Sequence, residues 1–261
     1  METKINKEII IDILKPLGYN ISSILNEYLK DKTESRLGDV YYFLYGDNTS
    51  NTELCYVIEK FNSLGMKFGF NDLSNLSKDC KIDVLEFLKN NGTDLKISEN
   101  GENLIFKFLE TSSFDFENDS KLLINSFNKL IELDIDFTKI DNNGRNIIHK
   151  AIRQGVVYNL LNHILSLDLD KNLQDNEGYT PLHFAAENLS KEQIEILIEF
   201  GADKSKELRT KENNFDNFDE KSGKGMNPIE IYCRSVGYEE ESGKEFRNEV
   251  FLEDDIFSLL S

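Results

Sequence analysis

Residues 175–203 read DNEGYTPLHFAAENLSKEQIEILIEFGAD and combine several local signals in one short stretch. Gly178 stands in a polar loop and permits the positive φ that a tight turn requires. Thr180 is placed to cap a helix, and Pro181 suits the first helical position. Apolar residues then recur at helical spacing up to Gly201, which favours a left-handed helix stop. The stretch therefore predicts a turn followed by two helices.

The same pattern occurs once more, 34 residues upstream, where residues 141–170 read DNNGRNIIHKAIRQGVVYNLLNHILSLDLD. The two stretches agree at four landmarks: Gly144 with Gly178, Ile148 with Leu182, His149 with His183, and Ala151 with Ala185. A unit of this size cannot bury its own faces, so stacking of neighbouring units has to supply the core. The chain is therefore predicted to be a repeat array.

These landmarks resemble the ankyrin repeat, a unit of about 33 residues built from a β-turn and two helices. The TPLH-x-A signature lies at residues 180–185, and the usual Gly-Ala-Asp ending lies at residues 201–203. The resemblance is specific over residues 141–203. It implies an all-α ankyrin-repeat solenoid of about six helix-pair units with an N-terminal helical cap.

The other units align to the same landmarks more loosely. Gly69, Gly101 and Gly225 are placed at the turn glycine, which puts Ser74 at the histidine position and Gly92 at the closing glycine. We expect a helical cap over 1–35 and a degenerate array over 36–261. The array is expected to carry a polar insertion at about 204–224 and a shorter one at about 111–119.

Composition indicates the kind of partner. The chain has 48 acidic and 30 basic residues and a net charge of −18. Such a charge repels nucleic acid and anionic membranes and favours a protein with a basic surface, although it can also serve solubility alone. The chain has no apolar run long enough to span a membrane, and its three dispersed cysteines suit a reducing cytoplasm.

No catalytic, cofactor or metal motif is recognisable, so we expect a protein that is not an enzyme and needs no cofactor. The resemblance implies that His149 and His183 are structural and form hydrogen bonds between loops. His163 is expected at a partly exposed position of an outer helix. An enzyme with an unrecognised site in the cap or the 204–224 insertion is the least favoured reading.

The resemblance also implies that a partner protein contacts the β-turn tips and the inner helices. The matching positions are Asn142, Asn143, Arg145, Arg153, Asn176, Glu177, Tyr179, Glu187 and Asn188. Phe215 and Phe218 of the insertion are candidate aromatic anchors. The alternatives are a solvated surface for the first set and a variable insertion without contacts for the second.

The leading hypothesis is a non-enzymatic protein-interaction module, monomeric when free. Its most concrete form is an acidic immunity or antitoxin-type protein that neutralises a basic toxin, because many toxins that attack nucleic acid are basic. The alternative is an ankyrin-repeat effector or scaffold that binds a host protein.

Overall fold

The computed structural model describes residues 5–17, 34–35, 50–63, 67–110, 120–208, 218–219, 224–236 and 255–261. The α-helices of these residues are, in chain order, α1 (Lys7–Leu14), α2 (Asn51–Ser63), α3 (Phe70–Lys78), α4 (Ile82–Asn90), α5 (Leu104–Phe108), α6 (Ser120–Glu132), α7 (Ile147–Gln154), α8 (Tyr158–Leu165), α9 (Pro181–Glu187), α10 (Lys191–Glu199), α11 (Pro228–Ser235) and α12 (Asp255–Leu260). A 3₁₀ turn, Lys15–Leu17, follows α1. The described strands are two-residue segments: β1 (Ile5–Asn6) pairs antiparallel with β2 (Glu34–Ser35), and β3 (Phe218–Asp219) with β4 (Lys224–Gly225).

The helices stack in two rows. The inner row is α3, α5, α7, α9 and α11, and each of these packs against the next. The outer row is α2, α4, α6, α8, α10 and α12, again in order, and helices α3 to α12 also pack as five successive inner–outer pairs. Buried side chains from Ile13 to Leu260 form one continuous core. The predicted all-α repeat solenoid is confirmed.

The unit at 175–203 has the predicted local structure. Thr180 is the N-cap of α9 and Pro181 is its first residue, while Gly178 adopts a φ of 94°. Gly201 ends α10 at a φ of 86°, and the two N–H groups that follow the cap donate to carbonyls of the last turn at 2.9 Å. This pair of hydrogen bonds is a Schellman motif, which satisfies carbonyls that a helix end leaves unpaired.

The alignment of the unit that contains α3 is wrong by two positions. Gly69 is the N-cap of α3 with an extended backbone, not the turn glycine. The carboxylate of Asp72 accepts the N–H of Gly69 at 2.9 Å, so Asp72 and not Ser74 occupies the histidine position of this unit. Ser74 is buried in the helix. Because α3 has nine residues and α9 has seven, Gly92 still ends the outer helix, at a φ of 86°.

The two other predicted turn glycines differ from each other. Gly101 adopts a φ of 81°, as predicted for a turn. Gly225 is not in a left-handed turn: it lies in β4, and a Cβ built on it would be 2.0 Å from the carbonyl oxygen of Leu208. Glycine is required at 225 because two backbone segments approach closely there.

Several sequence-based predictions lie largely outside the described residues. Of the predicted cap over 1–35, the structure describes 5–17 and 34–35, and of the insertion at 204–224 it describes 204–208, 218–219 and 224. The division into cap and array therefore stays a prediction. Among the described helices, none combines the length and apolar character needed to cross a membrane.

Candidate partner-binding surface

Each of the two central hairpin tips is built on an aspartate that folds the loop back on itself. In the first tip, Oδ1 of Asp141 accepts the backbone N–H groups of Asn143 and Arg145 at 2.8 and 2.9 Å. Asp175 accepts the two equivalent bonds in the next tip, both at 2.9 Å. Four tip residues are consequently exposed: Asn142, Asn143, Asn176 and Glu177.

Backbone hydrogen bonds tie successive tips together. The N–H of Asn142 donates to the carbonyl of Asn100 at 3.1 Å, and the N–H of Asn176 donates to the carbonyl of Asn143 at 2.8 Å. The side-chain amide of Asn176 also donates to the carbonyl of Asn142 at 2.9 Å. The exposed tips therefore form one continuous polar edge rather than separate loops.

The two landmark histidines connect neighbouring units, as predicted. His183 Nδ1 accepts the N–H of Thr180 at 3.1 Å, so Nε2 carries the proton and donates to the carbonyl of Met226 at 3.1 Å. His149 Nε2 contacts the carbonyl of Tyr179 at the same distance. Burial lowers the pKa of both rings to about 4, which keeps them neutral at pH 7. Their bonds to carbonyls of the next unit give them a structural role.

An ion-pair cluster covers the inner helices of the preceding units. Its members are Lys78, Glu102, Lys107, Glu110 and Lys150. Lys150 Nζ lies 2.8 Å from Glu102 Oε1 and 2.6 Å from Glu110 Oε1. Burial raises the pKa of Glu110, but the bonds from three ammonium groups outweigh this effect and lower that pKa to about 2. Each of these lysines is therefore already paired with a carboxylate within the protein.

A second group, the arginine–aromatic cluster, consists of Arg145, Arg153, Tyr179 and Phe184. The guanidinium carbons of Arg145 and Arg153 lie 5.1 and 5.3 Å from the centre of the Phe184 ring. The Tyr179 ring stacks on Phe184 with centroids 5.0 Å apart. Arg145 Nε also donates to the buried carboxylate of Asp175 at 2.9 Å. The cluster therefore joins the units that begin at Asp141 and Asp175.

The prediction that Tyr179 is an exposed tip residue is wrong. Its relative exposure is 6%, and burial raises the pKa of its hydroxyl to about 12. The residue directly before the helix cap turns back over the inner helix, where its ring meets Phe184. Arg145 occupies the equivalent position one unit earlier and is half-buried, because its guanidinium lies over Phe184 and pairs with Asp175 of the next unit.

The remaining predicted positions divide into two groups. Arg153, Glu187 and Asn188 are exposed near the ends of α7 and α9. Phe215 lies outside the described residues, and only the backbone of Phe218 is described, in β3. Whether either phenylalanine takes part in binding stays a prediction.

The repeat signature did not predict the ion-pair cluster or the arginine–aromatic cluster, although one feature of the sequence points to both. Lys107, Lys150 and Phe184 all stand four residues after the helix cap of their unit, so they share one face of the inner row. The two clusters hold five cations, and the carboxylates that pair with members of the clusters are Glu102, Glu110 and Asp175. Among these groups the cations outnumber the carboxylates by five to three, on a chain with a net charge of −18.

Comparison with known proteins identifies the repeats. A family model described as ankyrin repeats (3 copies) matches residues 119–208, which run from α6 to just beyond α10. No curated protein matches the chain. Ankyrin repeats indicate a protein–protein interaction module, and the matched residues contain both central tips and the arginine–aromatic cluster.

Proposed function

Because residues 119–208 are ankyrin repeats, we propose that this protein binds a partner protein through the tips and inner helices and neutralises it. The observation that carries the proposal is the continuity of the exposed polar edge. Asn142, Asn143, Asn176 and Glu177 lie on bonded tips, and Arg153, Glu187 and Asn188 extend the exposed surface onto the inner helices. Polar side chains on a rigid frame suit a protein interface.

The net charge of −18 supports a partner with a basic surface. Long-range attraction accelerates the encounter of oppositely charged proteins, and a toxin that cuts or modifies nucleic acid needs positive charge to hold phosphates. We propose an immunity-type role on this basis: the protein, monomeric when free, occupies the basic surface of such a toxin in the cytoplasm.

The proposal is tested by capture and by protection. The full chain is immobilised, captured proteins are identified by mass spectrometry, and each candidate is expressed with and without the full chain. We expect a basic protein that arrests growth alone and is harmless with the full chain, and whose association rate falls steeply as salt rises. A captured host protein that causes no growth arrest would favour the effector or scaffold alternative.

A matched pair of variants tests whether the inner helices form the binding face. Glu187→Lys changes an exposed inner-helix residue, and Glu199→Lys makes the same charge change at an exposed position of α10 in the outer row. Because both variants alter the net charge equally, they affect long-range attraction alike. We expect Glu187→Lys to weaken the complex at least tenfold more than Glu199→Lys. Equal losses would show that the inner face is not the binding face.

A further inference from the structure

We infer that Arg145 and Arg153, held over the ring of Phe184, form a subsite for a carboxylate group of the bound protein. This inference rests on the proposed function, because it specifies one chemical group of the partner that occupies the inner face. Both guanidinium carbons lie within 5.3 Å of one ring centre, so two positive charges share a single aromatic ring.

Arg145 is held in place before any partner arrives. Its Nε donates to Asp175 Oδ2 at 2.9 Å, and the Asp175 side chain is 1% exposed. A guanidinium carries five N–H donors in a planar fork, and this bond uses the donor on Nε. Its position over the ring is therefore set by contacts at two points, the buried carboxylate and Phe184.

Arg153 provides the exposed half of the subsite. It lies in the last turn of α7, and no carboxylate of the described residues forms an ion pair with it. Phe184 is 7% exposed and carries the Tyr179 ring stacked against it, so the surface below the two guanidinium groups is apolar. A charge-assisted hydrogen bond is strengthened where one side of it is shielded from water.

The neighbouring lysines do not offer an equivalent site. Lys107 and Lys150 each contact both Glu102 and Glu110, whereas Arg145 pairs with the single carboxylate of Asp175 and Arg153 pairs with no carboxylate of the described residues. The arginine–aromatic cluster therefore keeps a positive charge that a planar, singly charged carboxylate matches in geometry. A basic partner is attracted at long range by the whole chain, and one of its acidic side chains or its C-terminus is bound here at contact range.

The test uses three short peptides and the full chain. Acetyl-Gly-Glu-Tyr-Gly-amide offers a side-chain carboxylate, acetyl-Gly-Tyr-Gly with a free C-terminus offers a terminal one, and acetyl-Gly-Lys-Tyr-Gly-amide offers a cation. Each is titrated while the Nε–H signals of Arg145 and Arg153 are followed by NMR. We expect saturable shifts of both signals with at least one carboxylate peptide and none with the lysine peptide. The tighter of the two carboxylate peptides identifies the source of the group.

Variants separate the subsite from general charge. Arg153→Gln removes a positive charge from α7, and Lys121→Gln removes one from an exposed position of α6 in the outer row. We expect Arg153→Gln to weaken carboxylate binding at least tenfold and Lys121→Gln to leave it within twofold. Arg153→Lys, which keeps the charge and loses the planar fork, is expected to bind several times more weakly than the natural chain.

Equal binding of the lysine and carboxylate peptides, no shift of either arginine signal, or equal losses from both glutamine variants would overturn the inference. Its failure is distinguishable from failure of the proposed function. If binding of a captured partner depends on Glu187 but is unaffected by Arg153→Gln, the subsite is refuted and the inner binding face stands. If carboxylate peptides bind at Arg153 but no partner binds the inner face, the subsite stands and the proposed function is refuted.

Discussion

Acidification is expected to destabilise the array through its two buried histidines. The rings of His149 and His183 have a pKa of about 4 in the folded protein, against 6.5 for the free side chain, because burial disfavours the charged form. The unfolded chain therefore binds two protons from pH 6.5 downward that the folded chain takes up only near pH 4. Stability is complete above pH 6.5 and falls as the pH drops through the interval down to 4.

The size of the effect follows from the two pKa values. The full interval corresponds to about 3 kcal/mol per histidine, and about 2 kcal/mol of this is lost between pH 7.5 and 5. The two rings together should lower the free energy of unfolding by about 4 kcal/mol over that range. The stabilising effect of Glu110, whose pKa is about 2, is lost only below pH 4.5, so it does not interfere.

Urea unfolding at several pH values between 7.5 and 5 measures this loss. Far-ultraviolet circular dichroism follows the helices, and tyrosine emission follows the packing, since the chain has no tryptophan. His183→Asn should lower stability at pH 7.5 and halve the pH dependence. His163→Asn is the matched control, because that ring is half-buried in α8 and bonds to Asn128 on the outer row. Equal pH dependence in the natural chain and His183→Asn would refute the reasoning.

Five substitutions test the packing by the same urea method. Tyr179→Ala should cost about 3 kcal/mol, because it removes a buried ring that stacks on Phe184, and a loss below about 1 kcal/mol would contradict the buried position. Glu110→Gln should lower the free energy of unfolding by about 1 to 2 kcal/mol. Asp83→Asn, which breaks an exposed ion pair, should lower it by less than about 0.5 kcal/mol. Similar losses would mean that the ion-pair cluster stabilises the protein no more than an exposed pair does. Gly101→Ala should cost more than Gly155→Ala, because only the former places a Cβ against backbone, 2.6 Å from a nitrogen, and the reverse order would contradict the described tip contact.

The regular repeats were predictable because their signals are local. A cap, a first-turn proline and a closing glycine each act within one or two turns, so Thr180, Pro181 and Gly201 were placed correctly. The alignment at Gly69 failed because α3 is two residues longer than α9. Helix length depends on packing against neighbouring units, and no single residue of α3 records it.

The binding surface was predictable only in part, for a related reason. The exposure of Asn142 and Glu177 follows from the turn in which each stands. The burial of Tyr179 depends on Phe184, and the orientation of Arg145 depends on Asp175 in the next unit. Contacts between units join residues that are far apart in the chain, 30 positions for Arg145 and Asp175, and a repeat signature contains no information about which side chains meet there.

The two histidine bonds give the array a direction. His149 and His183 each donate forward, to a carbonyl of the unit that follows in the chain. If the following unit unravels, the histidine ring also loses the cover that this unit gave it, so its Nε2–H turns to water and the loss is that of one hydrogen bond, about 0.5 to 1.5 kcal/mol. The same bond is lost if the unit that carries the histidine unravels. The direction therefore lies in the chemistry of the link: the preceding unit must carry a histidine, whereas the following unit supplies a backbone carbonyl, which any residue provides.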